Sequence, residues 1–154
     1  MINIRKIQPK DTELIELIST WYLNEWNIPV EKTRDNLQAI TTATDQFQLI
    51  LFVDKLPVAT GGIYNHVGLL DRQPRLKIHQ HWLALVYTIP AYRAKGYGSM
   101  LCSELQKQAK QQCLNTLHLF TDTAESLYQN LGWKVQQRLE TGGRNLAIMH
   151  LQLS

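Results

Sequence analysis

One stretch constrains this chain more than any other. The β-branched, apolar run Ile78 to Thr88 leads directly into Arg93-Ala94-Lys95-Gly96-Tyr97-Gly98, and a helical pattern follows with Leu101, Cys102, Leu105 and Ala109 on one face. The chain therefore passes from a strand through a short, basic, glycine-bearing turn into a helix over Ser99 to Gln112. Glycine carries no Cβ, so at Gly96 and Gly98 the main chain adopts strained dihedrals and approaches an anion closely. The free N–H groups and the positive dipole end of the helix meet at those glycines, and Arg93 and Lys95 add formal charge. The turn pattern alone is weak, and its strand-to-helix setting gives it weight.

The remaining chain supplies alternating and helical patterns in a definite order. Ile2 to Ile7 alternates as a half-buried strand that Pro9 ends. Asp11 is placed to cap a helix reaching Trp26, with Leu14, Leu17, Ile18 and Trp21 inward, and a second helix follows Pro29 with Val30, Leu37 and Ile40 inward. Gln48 to Val53 and Pro57 to Tyr64 form a hairpin across Asp54-Lys55, and Gly61-Gly62 marks a bulge or a close backbone approach. Asn65 to Lys77 is polar and charged and reads as a mobile loop or long hairpin tip. After the glycine turn and its helix come a strand from Thr116 to Phe120, a short helix from Thr123 to Leu131, a strand from Trp133 to Leu139, a turn at Gly142-Gly143, and a closing strand from Asn145 to Leu151. This order predicts a mixed α/β fold of the α+β type with a mostly antiparallel sheet of seven strands flanked by helices.

At 154 residues, the expectation is one domain over residues 1–154, long enough to bury its own core. A net charge of +3 is mild and its Lys and Arg residues are scattered, which argues against nucleic-acid binding as the main role. The first residues lack the apolar core of a signal peptide, and no run approaches membrane-spanning length. Cys102 and Cys113 lie eleven residues apart on one predicted helix, about 16 Å along its axis, so they do not bridge each other. Free buried thiols suit a reducing compartment, and the expected location is cytoplasmic.

The order of elements, the Arg93 to Gly98 turn, and Leu127-Tyr128-Gln129-Asn130-Leu131-Gly132-Trp133 together resemble the GNAT superfamily of acyl-CoA-dependent N-acyltransferases. The resemblance covers nearly the whole chain and is most specific from Trp82 to Trp133. It implies acetyl-CoA as co-substrate. The backbone of Arg93, Ala94, Lys95, Gly96, Tyr97, Gly98 and Ser99 would bind the CoA diphosphate, and Val86, Tyr87 and Thr88 would hold the pantetheine arm through main-chain hydrogen bonds. It also places Tyr128 opposite the sulfur of CoA. There are two departures: Thr121 stands where many members carry an asparagine, and Trp82 where some carry a glutamate base.

An amine attacking a thioester needs a carbonyl in register, a donor for the developing oxyanion, and relief for the departing thiolate. A main-chain N–H between Val86 and Thr88 is the expected oxyanion donor. A tyrosine of pKa near 10 protonating a thiolate near 8.5 goes uphill by about 2 kcal/mol, so Tyr128 is expected to stabilise the thiolate by hydrogen bonding, with full transfer if the site shifts either value. His79 and His81, two apart on the predicted strand, share a face. Lacking a third ligand they read as a strand-edge pair, with a water-mediated proton relay as the alternative, and no metal is expected. His66, His118 and His150 read as isolated and structural. Glu25, near the helix junction, is placed to attract a cationic amine or is a lone surface carboxylate.

The expected reaction is transfer of an acetyl group to a primary amine by direct attack, the acceptor being a small-molecule amine or a protein N-terminus or lysine. No serine elbow or Cys-His motif argues for a covalent route. The rival is a CoA-sensing module without turnover. A nucleotide-binding α/β protein is disfavoured because the turn lacks a Walker-type ending. The closing strand, if exposed, would pair two subunits as a homodimer.

Overall fold

A computed structural model describes all residues from Met1 to Ser154. Seven strands form one mixed sheet: β1 (Ile2–Lys6), β2 (Phe47–Val53), β3 (Leu56–Tyr64), β4 (Trp82–Thr88), β5 (Thr116–Thr121), β6 (Lys134–Thr141) and β7 (Arg144–Gln152). Their spatial order is β1-β2-β3-β4-β5-β7-β6. Every neighbouring pair is antiparallel except β4 and β5, which run parallel.

The helices cover both faces. On one lie α1 (Thr12–Trp26), α2 (Val30–Ile40) and the short α3 (Leu69–Arg72), whose buried side chains share a core with Ile50, Trp82, Tyr87 and Ile148. On the other lie α4 (Tyr97–Gln111) and α5 (Glu125–Asn130), packed with Leu49, Leu51, Leu83, Leu119 and Met149. Helix α4 has the expected inner face: Leu101, Cys102, Leu105 and Ala109 are all fully buried. Helix α1 differs, since Ile15 and Tyr22 join Ile18 and Trp21 in the core while Leu14 and Leu17 sit at its border. Asp11 does not cap α1. Its carboxylate accepts from the Arg5 guanidinium at 2.9 and 3.1 Å and from Gln8 N–H, tying the end of β1 to the start of the helix.

Three other expectations are corrected. Asn65 to Lys77 contains α3 and a 3₁₀ turn at Pro74–Ile78, and it buries Val67, Leu69, Leu70 and Leu76 beneath its polar surface. The closing strand β7 lies inside the sheet, between β5 and β6, so it offers no free edge for a partner. Cys113 lies past the end of α4, exposed and with φ of 65°, while Cys102 is buried, and both are free thiols. No helix is long and apolar enough to cross a membrane.

The centre of the sheet is irregular on both sides of β4. Toward β3, Thr60 pairs with Tyr87 and Gly62 with Ala84, which leaves Leu85 and Val86 opposite the single residue Gly61. This is a β-bulge with Leu85 at φ 59°. The usual alternation slips there, because Ala84 and Leu85 both pack on the α1 face, Val86 on the α4 face and Tyr87 on the α1 face again. Toward β5, the only register pair is Trp82 with His118, and the two strands have no further pairing beyond it.

Candidate active site

The missing pairing between β4 and β5 leaves a cleft in the middle of the sheet. Its mouth faces the C-terminal end of β4, where the chain enters the glycine turn. A 3₁₀ turn at Pro90–Tyr92 leads into Ala94 at φ 60° and Gly96 at φ 88°, the residue that caps α4. A Cβ at Gly96 would meet nothing within 4 Å, so the dihedral angle rather than space calls for glycine. The first helical bond runs from Met100 N–H to Gly96 O at 3.0 Å. The preceding amides, Tyr97, Gly98 and Ser99, therefore lie in the first turn, where N–H groups have no partner within the helix. These amides and the helix dipole make a cradle for an anionic group.

The two basic side chains of the turn face elsewhere. Arg93 donates from Nε to Thr88 O at 2.7 Å, lies 5.3 Å over the Tyr87 ring, and approaches Glu25 at 3.6 Å. It thereby braces the turn against β4 and α1, and Glu25 is engaged with it. Lys95 lies 5.6 Å over the Tyr92 ring.

Val86 and Tyr128 belong to the same face and the same hydrophobic cluster, together with Cys102 and Tyr97. Tyr87 projects the opposite way, against Trp21 and Trp26 with ring centroids at 5.4 and 6.1 Å. Tyr128, 8% exposed, packs edge-on to Trp133 at 6.1 Å. Trp133 in turn donates from Nε1 to Gln106 Oε1 at 2.8 Å. Burial, with Cys102 beside its hydroxyl, pushes the Tyr128 pKa well above the usual tyrosine range. Burial likewise raises the Cys102 thiol to about 12, so it stays protonated.

The departures from the expected pattern have local explanations. Trp82 is fully buried and donates from Nε1 to His79 O at 3.0 Å, which makes it core. Thr121 accepts from Ala124 N–H at 3.0 Å and so holds the start of α5.

The histidines are arranged differently from the expectation. His81, at φ 66° just before β4, pairs with Asp45 at 3.0 Å, while His79 in the preceding turn stacks on His118 at 4.0 Å. The two therefore share no face. His118 and His150 are not isolated either, since their rings stack at 6.3 Å and complete a column of three imidazoles. Burial, then the neighbouring His79 and His150, lowers the His118 pKa to about 4. The column stands at the start of β4, roughly 20 Å along the strand from the glycine turn. No group of three or more His, Cys, Asp or Glu side chains is arranged to hold a metal ion.

The bulge at Leu85 is the feature that sequence reasoning did not locate. Its signal was Gly61-Gly62: a Cβ on Gly61 would come within 3.0 Å of Val86 Cγ2, directly across the bulge.

A mixed seven-stranded sheet, split between two parallel central strands beside a helix that begins in a fan of glycine-turn amides, is the architecture of a GNAT-type acetyltransferase. A family model described as an acetyltransferase (GNAT) domain matches residues 49–135, more than half of the chain, and the chain belongs to that family. Among solved structures, an acetyltransferase of the GNAT family from Streptococcus pneumoniae matches with a TM-score of 0.76 at 18% identity over 100% of both chains. An aminoglycoside 6'-N-acetyltransferase complexed with coenzyme A matches at 0.76 and 14% identity, over 99% of this chain and 97% of its own. The ribosomal-protein-S18-alanine N-acetyltransferase from Escherichia coli matches at 0.70 and 16% identity, over 100% of this chain and 95% of its own. At such identities the likeness is one of fold. No curated protein matches the chain in sequence.

Proposed function

We propose that this chain transfers the acetyl group of acetyl-CoA to a primary amine by direct nucleophilic attack. The observation that carries the reading is the cleft between β4 and β5, open beyond the Trp82–His118 pair and ending at the Gly96 to Ser99 amides. A thioester with a long amide-bearing arm and a diphosphate has the chemistry to fit both parts: the arm completes the unpaired edge of β4 at Val86, Tyr87 and Thr88, and the diphosphate accepts from the turn.

Acetyl-CoA, when bound, supplies the activated carbonyl. The chain's own groups do the rest. Backbone N–H groups of β4 fix the carbonyl and stabilise negative charge on its oxygen. As the amine nitrogen bonds to the acyl carbon, the carbon–sulfur bond breaks and its electron pair goes to sulfur. Tyr128 donates a hydrogen bond to that sulfur. Its raised pKa makes full proton transfer costlier than in water, so hydrogen bonding is the role we assign to it. The proton released by the amine passes to solvent, since Trp82 occupies the place where a base is found in other members.

The same substitution favours a second reading, a CoA-binding module without turnover. A panel of amines assayed for free-thiol release from acetyl-CoA separates the two. Turnover with any amine supports transfer, and tight acetyl-CoA binding without thiol release supports sensing. Either reading expects acetyl-CoA to raise the melting temperature where ATP and NAD do not. Equal shifts with all three would defeat both. Two free thiols support a reducing compartment, and we place the protein in the cytoplasm.

A further inference from the structure

Under the bulge of β4 runs a buried chain of hydrogen bonds with one allowed proton order. Thr60 Oγ1 donates to Leu49 O at 2.7 Å, so it must accept from Gln48 Nε2 at 2.8 Å. The amide of Gln48 is thus fixed, its nitrogen also donating to the Tyr22 hydroxyl at 3.0 Å and its oxygen accepting from the Tyr64 hydroxyl. The one proton left to Tyr22 goes to Leu85 O at 2.6 Å. Burial holds both tyrosines far above the ordinary phenol range, so neither loses its proton. Gly62 makes room for the chain, since a Cβ there would lie 2.3 Å from Gln48 Oε1.

The last bond in this chain acts on the cleft. Leu85 is a non-glycine residue at φ 59°, a conformation that persists when its surroundings over-determine it. Tyr22 belongs to the α1 face and holds the Leu85 carbonyl on that side. In a planar trans peptide the N–H points opposite to the C=O. The Val86 N–H, in the same peptide unit, is therefore aimed at the other face, which also carries Tyr128. Neither Leu85 nor Val86 has a register partner on β3.

We propose that Tyr22 is a positioning residue: through the Leu85 carbonyl it orients the Val86 N–H as the donor to the acyl oxygen. The inference rests on the acyl-transfer reading and selects one amide from the three that sequence left open. It also makes the buried chain from Thr60 through Gln48 part of the site, although none of these side chains touches the acyl group.

The test is an amide NMR titration of the full chain with acetyl-CoA and, separately, with CoA, which lacks the carbonyl. In the wild type the Val86 amide proton moves with acetyl-CoA and much less with CoA, whereas Tyr97 to Ser99 respond to both. In Tyr22→Phe the Val86 response falls by at least about half and kcat drops about 30-fold, with KM for acetyl-CoA held within about twofold, because aim is lost rather than ligand binding. Ile40→Val, a core change in α2 chosen to lower stability without touching β4, leaves the Val86 response and kcat as they were. An unchanged Val86 response in Tyr22→Phe overturns the proposal while leaving acyl transfer intact. So does a carbonyl-dependent response at a different β4 amide. If acetyl-CoA moves neither Val86 nor Tyr97 to Ser99, the acyl-transfer reading falls and takes this one with it. Should Tyr22→Phe fail to fold, Gln48→Met removes the bond that orients the Tyr22 hydroxyl. A reduced Val86 response then supports the proposal, and an unchanged one overturns it.

Discussion

The two flanks of β4 are built on opposite plans. Toward β3 the strand is paired along most of its length, and its one irregularity, the Leu85–Val86 bulge, sits against Gly61 over a buried polar chain. Toward β5 it is paired once, at Trp82 and His118, and then parts from its neighbour. An unpaired strand edge inside a sheet carries main-chain groups that need partners, and an extended ligand supplies them. The contrast shows how a sheet keeps a cleft open without losing order: the closed flank is made rigid so that the open flank holds its groups in place.

The largest effect expected from breaking this contrast comes from the closed flank. Gly62→Ala places a methyl group 2.3 Å from Gln48 Oε1 and 2.9 Å from Phe47 O, and should destabilise the protein by about 3 kcal/mol in denaturant titration. On the open flank, Tyr128→Phe should lower kcat about 100-fold, near 2.7 kcal/mol, while leaving the affinity for acetyl-CoA nearly unchanged. Unchanged turnover would remove Tyr128 from the mechanism.

The point where the two flanks meet has its own signature. His118 is 6% exposed, and its pKa is lowered from 6.5 to about 4, so the folded state binds this proton less readily than the unfolded chain does. The stabilisation is full above pH 6.5 and is lost as the pH falls through that value toward 4. A loss of about 2 kcal/mol across this window is expected in unfolding titrations, and His118→Gln should flatten it. The smallest effect is at the turn. Gly96→Ala puts a side chain at φ 88° and should cost about 1 kcal/mol of stability, with weaker acetyl-CoA binding and kcat little changed.

What could be read from the sequence follows the range of the interactions involved. Leu101, Cys102, Leu105 and Ala109 announced a buried helix face because their spacing alone determines it. The turn at Gly96 was readable because it is local. Asn65 to Lys77 was misread because its polar residues outnumber Val67, Leu69, Leu70 and Leu76, and its helical pieces are too short to show a period. His79 and His81 were misassigned to a shared strand face because the strand starts only at Trp82, after a residue at positive φ. The grip of Tyr22 on Leu85 spans 63 positions, and nothing in either local segment announces it. Only Gly61-Gly62 hinted at the crowding there.

Amide hydrogen exchange with and without acetyl-CoA tests the open flank most directly. Binding should slow exchange at Val86 to Thr88 and at Tyr97 to Ser99 while leaving the edge strand β6 unaffected. Exchange that is unchanged at β4 and the turn, or slowed evenly across the sheet, would contradict the assignment of this cleft to an acyl-CoA.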